Sequence, residues 1–214
     1  HHVDEWQEMV VATRTMDEET ISRVWLWTWL VNKLEANGFT HIVSRFLEKH
    51  YNIKQQDFYE RMLETFLTDK ESVYFPHLQK WKQHAKNLEF QYFIGGFVYS
   101  EVLIDIGQYR RAKFFKEVYD IAHNLIGQFD PLLSQVLDLQ EKIQRQPVYQ
   151  IHEVTYDKNL YEYILHNEPL VDEKTSYRLI NDALDERFKN DWVAFMNFSR
   201  KNRGWKVKVE KNVQ

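Results

Sequence analysis

The sequence contains no cysteine among its 214 residues. This absence excludes disulfides, thiolate zinc sites, thiolate nucleophiles and any iron–sulfur cluster held by this stretch of chain. Because disulfides form in oxidising compartments, a chain without them fits a reducing one. We therefore expect a cytoplasmic protein.

Glycine and proline are also scarce, with 6 and 4 residues, and no apolar run is long. The longest run, Val24–Val31, is far shorter than the roughly 18 residues that a membrane-spanning helix needs, so no membrane segment is expected. Few helix breakers, together with many Leu, Glu, Lys and Gln, favour helices over short strands. The predicted fold class is mostly α, with a helical bundle-like body.

The first predicted helix has the clearest boundaries. Thr15 and Glu18 have the spacing of a capping box, in which each side chain accepts a hydrogen bond from a backbone amide. The apolar pattern runs on to Asn37-Gly38, a pair typical of a left-handed helix stop. The middle of the helix is apolar almost all round, which indicates burial on more than one side.

Apolar spacing predicts further helices at 40–49, 55–67, 74–90, 108–126 and 130–145. The last of these begins at Asp130-Pro131, with Asp as the cap and Pro at the first helical position. Residues 92–106 fit either a helix or a strand, because Gly95-Gly96 interrupts an otherwise apolar segment.

The composition changes after Pro147. β-Branched and aromatic residues predict strands at 148–156 and 175–180, followed by a helix at about 181–198. Residues 206–209 either pair as a strand or stay loose. We expect a helical body at 1–146 and a smaller α+β lobe with a basic tail at 147–214, either as two units or as one continuous domain.

The formal net charge is −4, but its sign is unevenly distributed. The body is acidic and the tail is basic, with cations at Arg200, Lys201, Arg203 and Lys206. An acidic chain argues against bulk nucleic-acid binding, and docking of the tail on an acidic surface is the favoured interpretation.

The chain does not begin with Met, and we interpret His1-His2 either as a tag remnant or as an interior start.

The sequence has no glycine-rich phosphate loop, no nucleophile elbow and no paired-histidine zinc motif. The spacing of Glu117, Asp120 and His123 places three metal-ligand side chains along one side of a helix, but a solvated face is favoured because carboxylate metal bundles need ligands from several helices. Trp25 and Trp29 share a helix face, which suits either core packing or a flat ligand, and core packing is favoured.

Five segments together resemble the region that follows the catalytic barrel in cobalamin-binding radical S-adenosylmethionine proteins. These segments are Glu8–Met16, Arg23–Val31, Asn37–Phe39, Phe58–Leu63 and Val193–Lys201. The family has a strand carrying a Thr, a Thr/Ser-Met cap and a long aromatic helix in the same order, and it closes with an aromatic, an Arg and a basic turn.

The resemblance implies that the parent enzyme uses S-adenosylmethionine, a 4Fe–4S cluster and cobalamin, held by an upstream barrel and an upstream cobalamin-binding domain. No catalytic or metal-binding residue of the family carries over, because the family's cluster ligands are cysteines. The implied function is a non-catalytic accessory domain that caps the barrel and helps to shape the substrate pocket. The substrate-pocket candidates are Arg14, Arg23, Trp25 and Trp29, which would place cations beside an aromatic wall.

Rival hypotheses from other classes remain open. The first is a free-standing helical module for protein–protein interaction. The second is a metal-dependent enzyme that uses Glu117, Asp120 and His123, and the third is a nucleic-acid role for the tail. Exposure of a large apolar patch on the first helix would favour docking, whereas complete burial of Trp25 and Trp29 would favour a self-contained module.

Overall fold

The computed structural model describes residues 14–35, 37–86, 102–144, 146–147, 149–181, 191 and 207–212. Its helices are α1 (Glu18–Leu34), α2 (His41–Tyr51), α3 (Gln55–Thr68), α4 (Phe75–Lys86), α5 (Arg111–Ile126), α6 (Pro131–Ile143) and α7 (Leu160–His166). A three-stranded antiparallel sheet has the order β1 (Gln150–Tyr156), β2 (Thr175–Asn181) and β3 (Lys208–Asn212). The expected class, mostly α with a small α+β lobe, is confirmed.

The helix starts and stops follow from local chemistry at several positions. Asp130 caps α6 by accepting from the Leu132 amide at 2.8 Å, with Pro131 at the first helical position, as expected. Gly38 and Gly127 adopt left-handed φ values of 70° and 73° after α1 and α5. The expected cap of α1 is wrong, because Asp17 rather than Thr15 caps the helix, accepting from the Thr20 amide at 2.8 Å.

Two features of the middle and the C-terminal part were not expected, and a third had been left open. Residues 105–109 form a π-helical turn, so α5 begins at Arg111 rather than at 108. The short helix α7 lies between the first two strands, where no helix was predicted. The last strand, β3, pairs with β2 from Ser176↔Asn212 to Ile180↔Lys208, which decides the two options that the sequence left for this segment.

One hydrophobic core runs through the helices and the sheet. Helix α1 packs on α3 and α4, whereas α2 lies centrally and contacts α3, α5, α6 and α7. Buried residues of the sheet, such as Tyr177 and Leu179, belong to the same core as Phe46 and Leu133 of the helices. Among the described helices, none combines the length and the apolar character that crossing a bilayer requires. Residues 87–101, 182–190 and 192–206, on which parts of the predicted segments fall, lie outside the described residues.

Candidate functional site

Helix α1 has two apolar faces, of which the body buries one fully and covers the other only in part. The core face consists of Leu26, Trp29, Leu30 and Leu34, all of which are buried. The outer face consists of Val24, Trp27 and Val31, which are spaced three and four residues apart and therefore share one side of the helix.

The outer face is only partly covered. Val24 is 48% exposed, and Trp27 and Val31 are half-buried at the edge of the core. The indole Nε1 of Trp27 is shielded from solvent and has no hydrogen-bond partner among the described residues. A buried donor without an acceptor destabilises the folded state by about 1 to 3 kcal/mol. A partner that supplied an acceptor to the Trp27 indole would remove this cost.

The first turns of α1 extend beyond the packed body. Every residue from Arg14 to Thr20 is exposed, whichever side of the helix it occupies. Met16, just before the helix, is 38% exposed. Since most of the stability of a protein helix comes from packing of an apolar face, a projecting start of this kind is suited to packing on something else.

The substrate-pocket candidates are placed in different environments. Trp29 is 7% exposed, and its ring lies 3.6 Å from that of Trp81 and 6.3 Å from that of Tyr74, measured between centroids. Trp25 is half-buried, and Arg14 and Arg23 are exposed. The Trp29 ring is therefore part of the core, whereas Arg23 is exposed on the first half of α1 and Arg14 is exposed before the helix begins.

A partly buried carboxylate fixes the end of α1. Glu35 accepts hydrogen bonds from Nδ1 of His41 at 2.6 Å, from Oγ of Ser44 at 3.0 Å and from the hydroxyl of Tyr59. Thr40 adds a hydroxyl contact of 2.8 Å to Tyr59. These contacts join α1 to α2 and α3, so that the outer face is presented in one orientation.

The electrostatics of this junction favour the ionised carboxylate. Burial raises the pKa of Glu35, but the hydrogen bonds from His41 and Tyr59 and the charge of His41 outweigh burial, and the pKa lies below its usual value. Burial and the neighbouring charge of Glu35 raise the pKa of the Tyr59 hydroxyl well above its usual value. Tyr59 therefore serves as a neutral donor to a charged acceptor.

Glu117, Asp120 and His123, the three residues considered as metal ligands, each contact a different partner. Glu117 accepts from the Val73 amide at 3.0 Å and from Oγ of Ser72 at 2.9 Å. Asp120 pairs with Lys116 at 2.7 Å, and the ring of His123 stacks on Tyr119. In the part of the chain that the structure describes, no three His, Cys, Asp or Glu side chains are grouped so that they could hold a metal ion.

Besides the pair of His41 and Glu35, the structure contains a second histidine–carboxylate pair, His77 and Asp105, of which sequence spacing gave no sign. Nε2 of His77 lies 2.9 Å from Oδ2 of Asp105, in the π-helical turn, and Nε of Arg110 lies 3.3 Å from the other carboxylate oxygen. The pair joins α4 to a segment 28 residues away. The basic tail, with Arg200, Lys201, Arg203 and Lys206, lies outside the described residues.

The sequence analysis did not identify the outer face of α1 as a separate surface. The apolar character all round the helix was the signal that could have shown it.

Comparison of the chain with protein-family models and with curated proteins found no match. The geometry of the described residues and the resemblance of its segments are therefore the basis for a functional proposal.

Proposed function

We propose that the chain is a non-catalytic C-terminal accessory region of a larger cobalamin-binding radical S-adenosylmethionine enzyme. It caps the barrel and helps to shape the substrate pocket, and the outer face of α1 is its docking element. The observation that carries this proposal is the half-covered outer face, with Val24 48% exposed beside the projecting first turns. A docked partner would cover apolar side chains that this chain leaves partly exposed side by side on one helix.

The family's cofactors do not fit the residues of this chain. A 4Fe–4S cluster needs thiolates, and the sequence has none. The cluster, S-adenosylmethionine and cobalamin would therefore be held by the upstream barrel and the cobalamin-binding domain. The contribution of this chain would be shape and the exclusion of water, with the exposed cations Arg14 and Arg23 at the projecting start of the docking element.

The first test is the intact mass and the metal content of the native polypeptide, purified without oxygen. We expect a mass well above 26.1 kDa, with both iron and cobalt bound. A metal-free protein of 26.1 kDa would contradict the proposal.

The docking element is tested in the same native polypeptide with Val24→Asp. A charge on a buried apolar contact is costly, so hydrogen–deuterium exchange across the first half of α1 should become faster. Val171→Asp is the matched control, because Val171 is 43% exposed in a loop of the α+β lobe. Equal exchange of α1 in both variants would show that the outer face of α1 is not docked.

A free-standing interaction module is the second candidate. Large exposed aromatics favour it, since Phe129 is 75% and Tyr109 is 71% exposed near the two ends of α5. Exposed aromatic side chains are common anchors in protein interfaces. A metal-free native protein of the size of this chain would support this candidate over the first.

A further inference from the structure

Glu117 on α5 holds the turn between α3 and α4 from a distance. Its Oε1 accepts from the Val73 amide at 3.0 Å, and its Oε2 accepts from Oγ of Ser72 at 2.9 Å. Oγ of Ser72 in turn accepts from the Tyr74 amide at 3.2 Å. Ser72, Val73 and Tyr74 are buried, so the start of α4 depends on this carboxylate.

Charged and titratable groups face Glu117 from every element around it. Lys113 and Lys116 lie on its own helix, and Lys113 also donates to the Glu71 carbonyl of the turn. Asp69 at the end of α3 repels it. Burial is the largest influence and raises the pKa of Glu117, whereas the Val73 and Ser72 hydrogen bonds and the Lys113 charge act in the opposite direction.

The hydroxyl of Tyr74 lies in the same charged neighbourhood. It is fully buried and has no hydrogen-bond partner among the described residues. Burial raises its pKa well above the usual value, and the charges of Glu117 and Asp105 add to this effect. Asp105 is also paired with His77 of α4. The turn before α4 and the first part of α4 are therefore held by two carboxylates, Glu117 and Asp105, and the charge of each acts on the Tyr74 hydroxyl.

We propose that Glu117 is a proton-operated latch, which holds the α3–α4 turn when it is ionised and holds Val73 and Ser72 more weakly when it is protonated. An ionised carboxylate accepts a charge-assisted hydrogen bond on each oxygen, whereas a protonated one carries a hydrogen on one oxygen and accepts more weakly. Because α4 bears Trp81, which packs on Trp29 of α1, the latch connects proton concentration to the support of α1.

The test is an NMR titration of the chain that follows two signals, the Glu117 side-chain carboxyl and the Val73 amide proton. We expect both to change with one shared midpoint, which lies above the ordinary glutamate pKa of about 4.3. The Val73 amide should move upfield as the pH falls, because it loses a charged acceptor. A Val73 signal that stays constant through the Glu117 midpoint would overturn the proposal.

Two variants separate the latch from a general effect of acid. In Glu117→Gln the side chain cannot titrate, so the Val73 shift should no longer follow the pH. In Asp120→Asn, which removes the exposed acid of the Lys116 pair on the same helix, the Val73 titration should be retained. Loss of the Val73 titration in Asp120→Asn, or its persistence in Glu117→Gln, would contradict the assignment. The shared midpoint in the unaltered chain remains decisive even if Glu117→Gln fails to fold.

Discussion

Helices α1 and α6 are capped by their own sequence, whereas α2 is capped by another helix, and the turn before α4 is held by a side chain of α5. Asp17 and Asp130 each accept from an amide two or three residues further along the chain. At the start of α2, Thr40 makes no side-chain capping bond, and Oε1 of Gln140 accepts from the Ile42 amide at 2.6 Å instead. Ile42 and Gln140 are 98 residues apart.

The difference shows which parts of the fold depend on assembly. A local cap can form as soon as its own turn forms. A distant cap or turn contact exists only when the elements that it joins are already packed, so α2 and α6 stabilise each other, as do α5 and the turn before α4. Nε2 of Gln140 also donates to the Gly38 carbonyl at 2.6 Å, which ties the α1–α2 connection into the same contact.

The largest effect should come from the distant cap of α2. Gln140→Ala leaves two amides and one carbonyl in the interior without a partner, and each orphaned group costs about 1 to 3 kcal/mol. We expect a loss of about 3 to 4 kcal/mol in the free energy of unfolding, measured by urea denaturation.

The matched control for this prediction is Gln56→Ala. Gln56 is an exposed glutamine on α3 whose side chain bonds only to Glu60 of the same helix. Its replacement should change the free energy of unfolding by less than about 0.5 kcal/mol. Similar losses in the two variants would show that α2 does not depend on Gln140.

The local caps are the part of the fold that the sequence allowed us to predict. Asp130-Pro131 was correct because a cap and a first-turn proline are adjacent in sequence. At α1 the helix start was right to within a few residues, but two oxygen-bearing side chains competed, and Asp17 rather than Thr15 accepts the bond. The distant contacts carried no signal, since nothing local to Gln140 or Glu117 indicates that its side chain reaches a backbone amide of another element.

The candidate site was predicted only in part, for a related reason. Trp29 was singled out by its spacing, but which face of α1 the body covers depends on the placement of α3 and α4. The pairing of His77 with Asp105 likewise requires the π-helical turn, which no local pattern indicated. Short-range spacing identifies the apolar faces and the caps of a helix. Which of two apolar faces is buried depends on where the other helices pack, and local spacing does not show that.

An intermediate effect is expected at Asp130, a local cap with one distant partner. Its side chain accepts from the Leu132 amide and also from the hydroxyl of Tyr51 on α2. Asp130→Ala should lower the free energy of unfolding by about 2 kcal/mol, since a cap and a charge-assisted hydrogen bond are both lost. Tyr51→Phe removes only the distant bond, so its loss in the same urea experiment should be smaller; an equal loss would mean that the cap contributes nothing.

The smallest effect should come from Asp17, which is exposed and purely local. The hydrogen bond from the Thr20 amide lowers the pKa of Asp17, so its folded pKa lies below the unfolded value of about 3.9. Its stabilisation is therefore complete above that pH and is lost as the pH falls through the folded pKa. In Asp17→Ala, hydrogen exchange of the first turn of α1 should be faster than in the unaltered chain at neutral pH, and the difference should shrink in strong acid as the charge-dependent part of the cap is lost. Asp17→Asn keeps the cap without the charge and should retain the slow exchange at neutral pH, whereas fast exchange in this variant would show that the charge, not the hydrogen bond, holds the helix start.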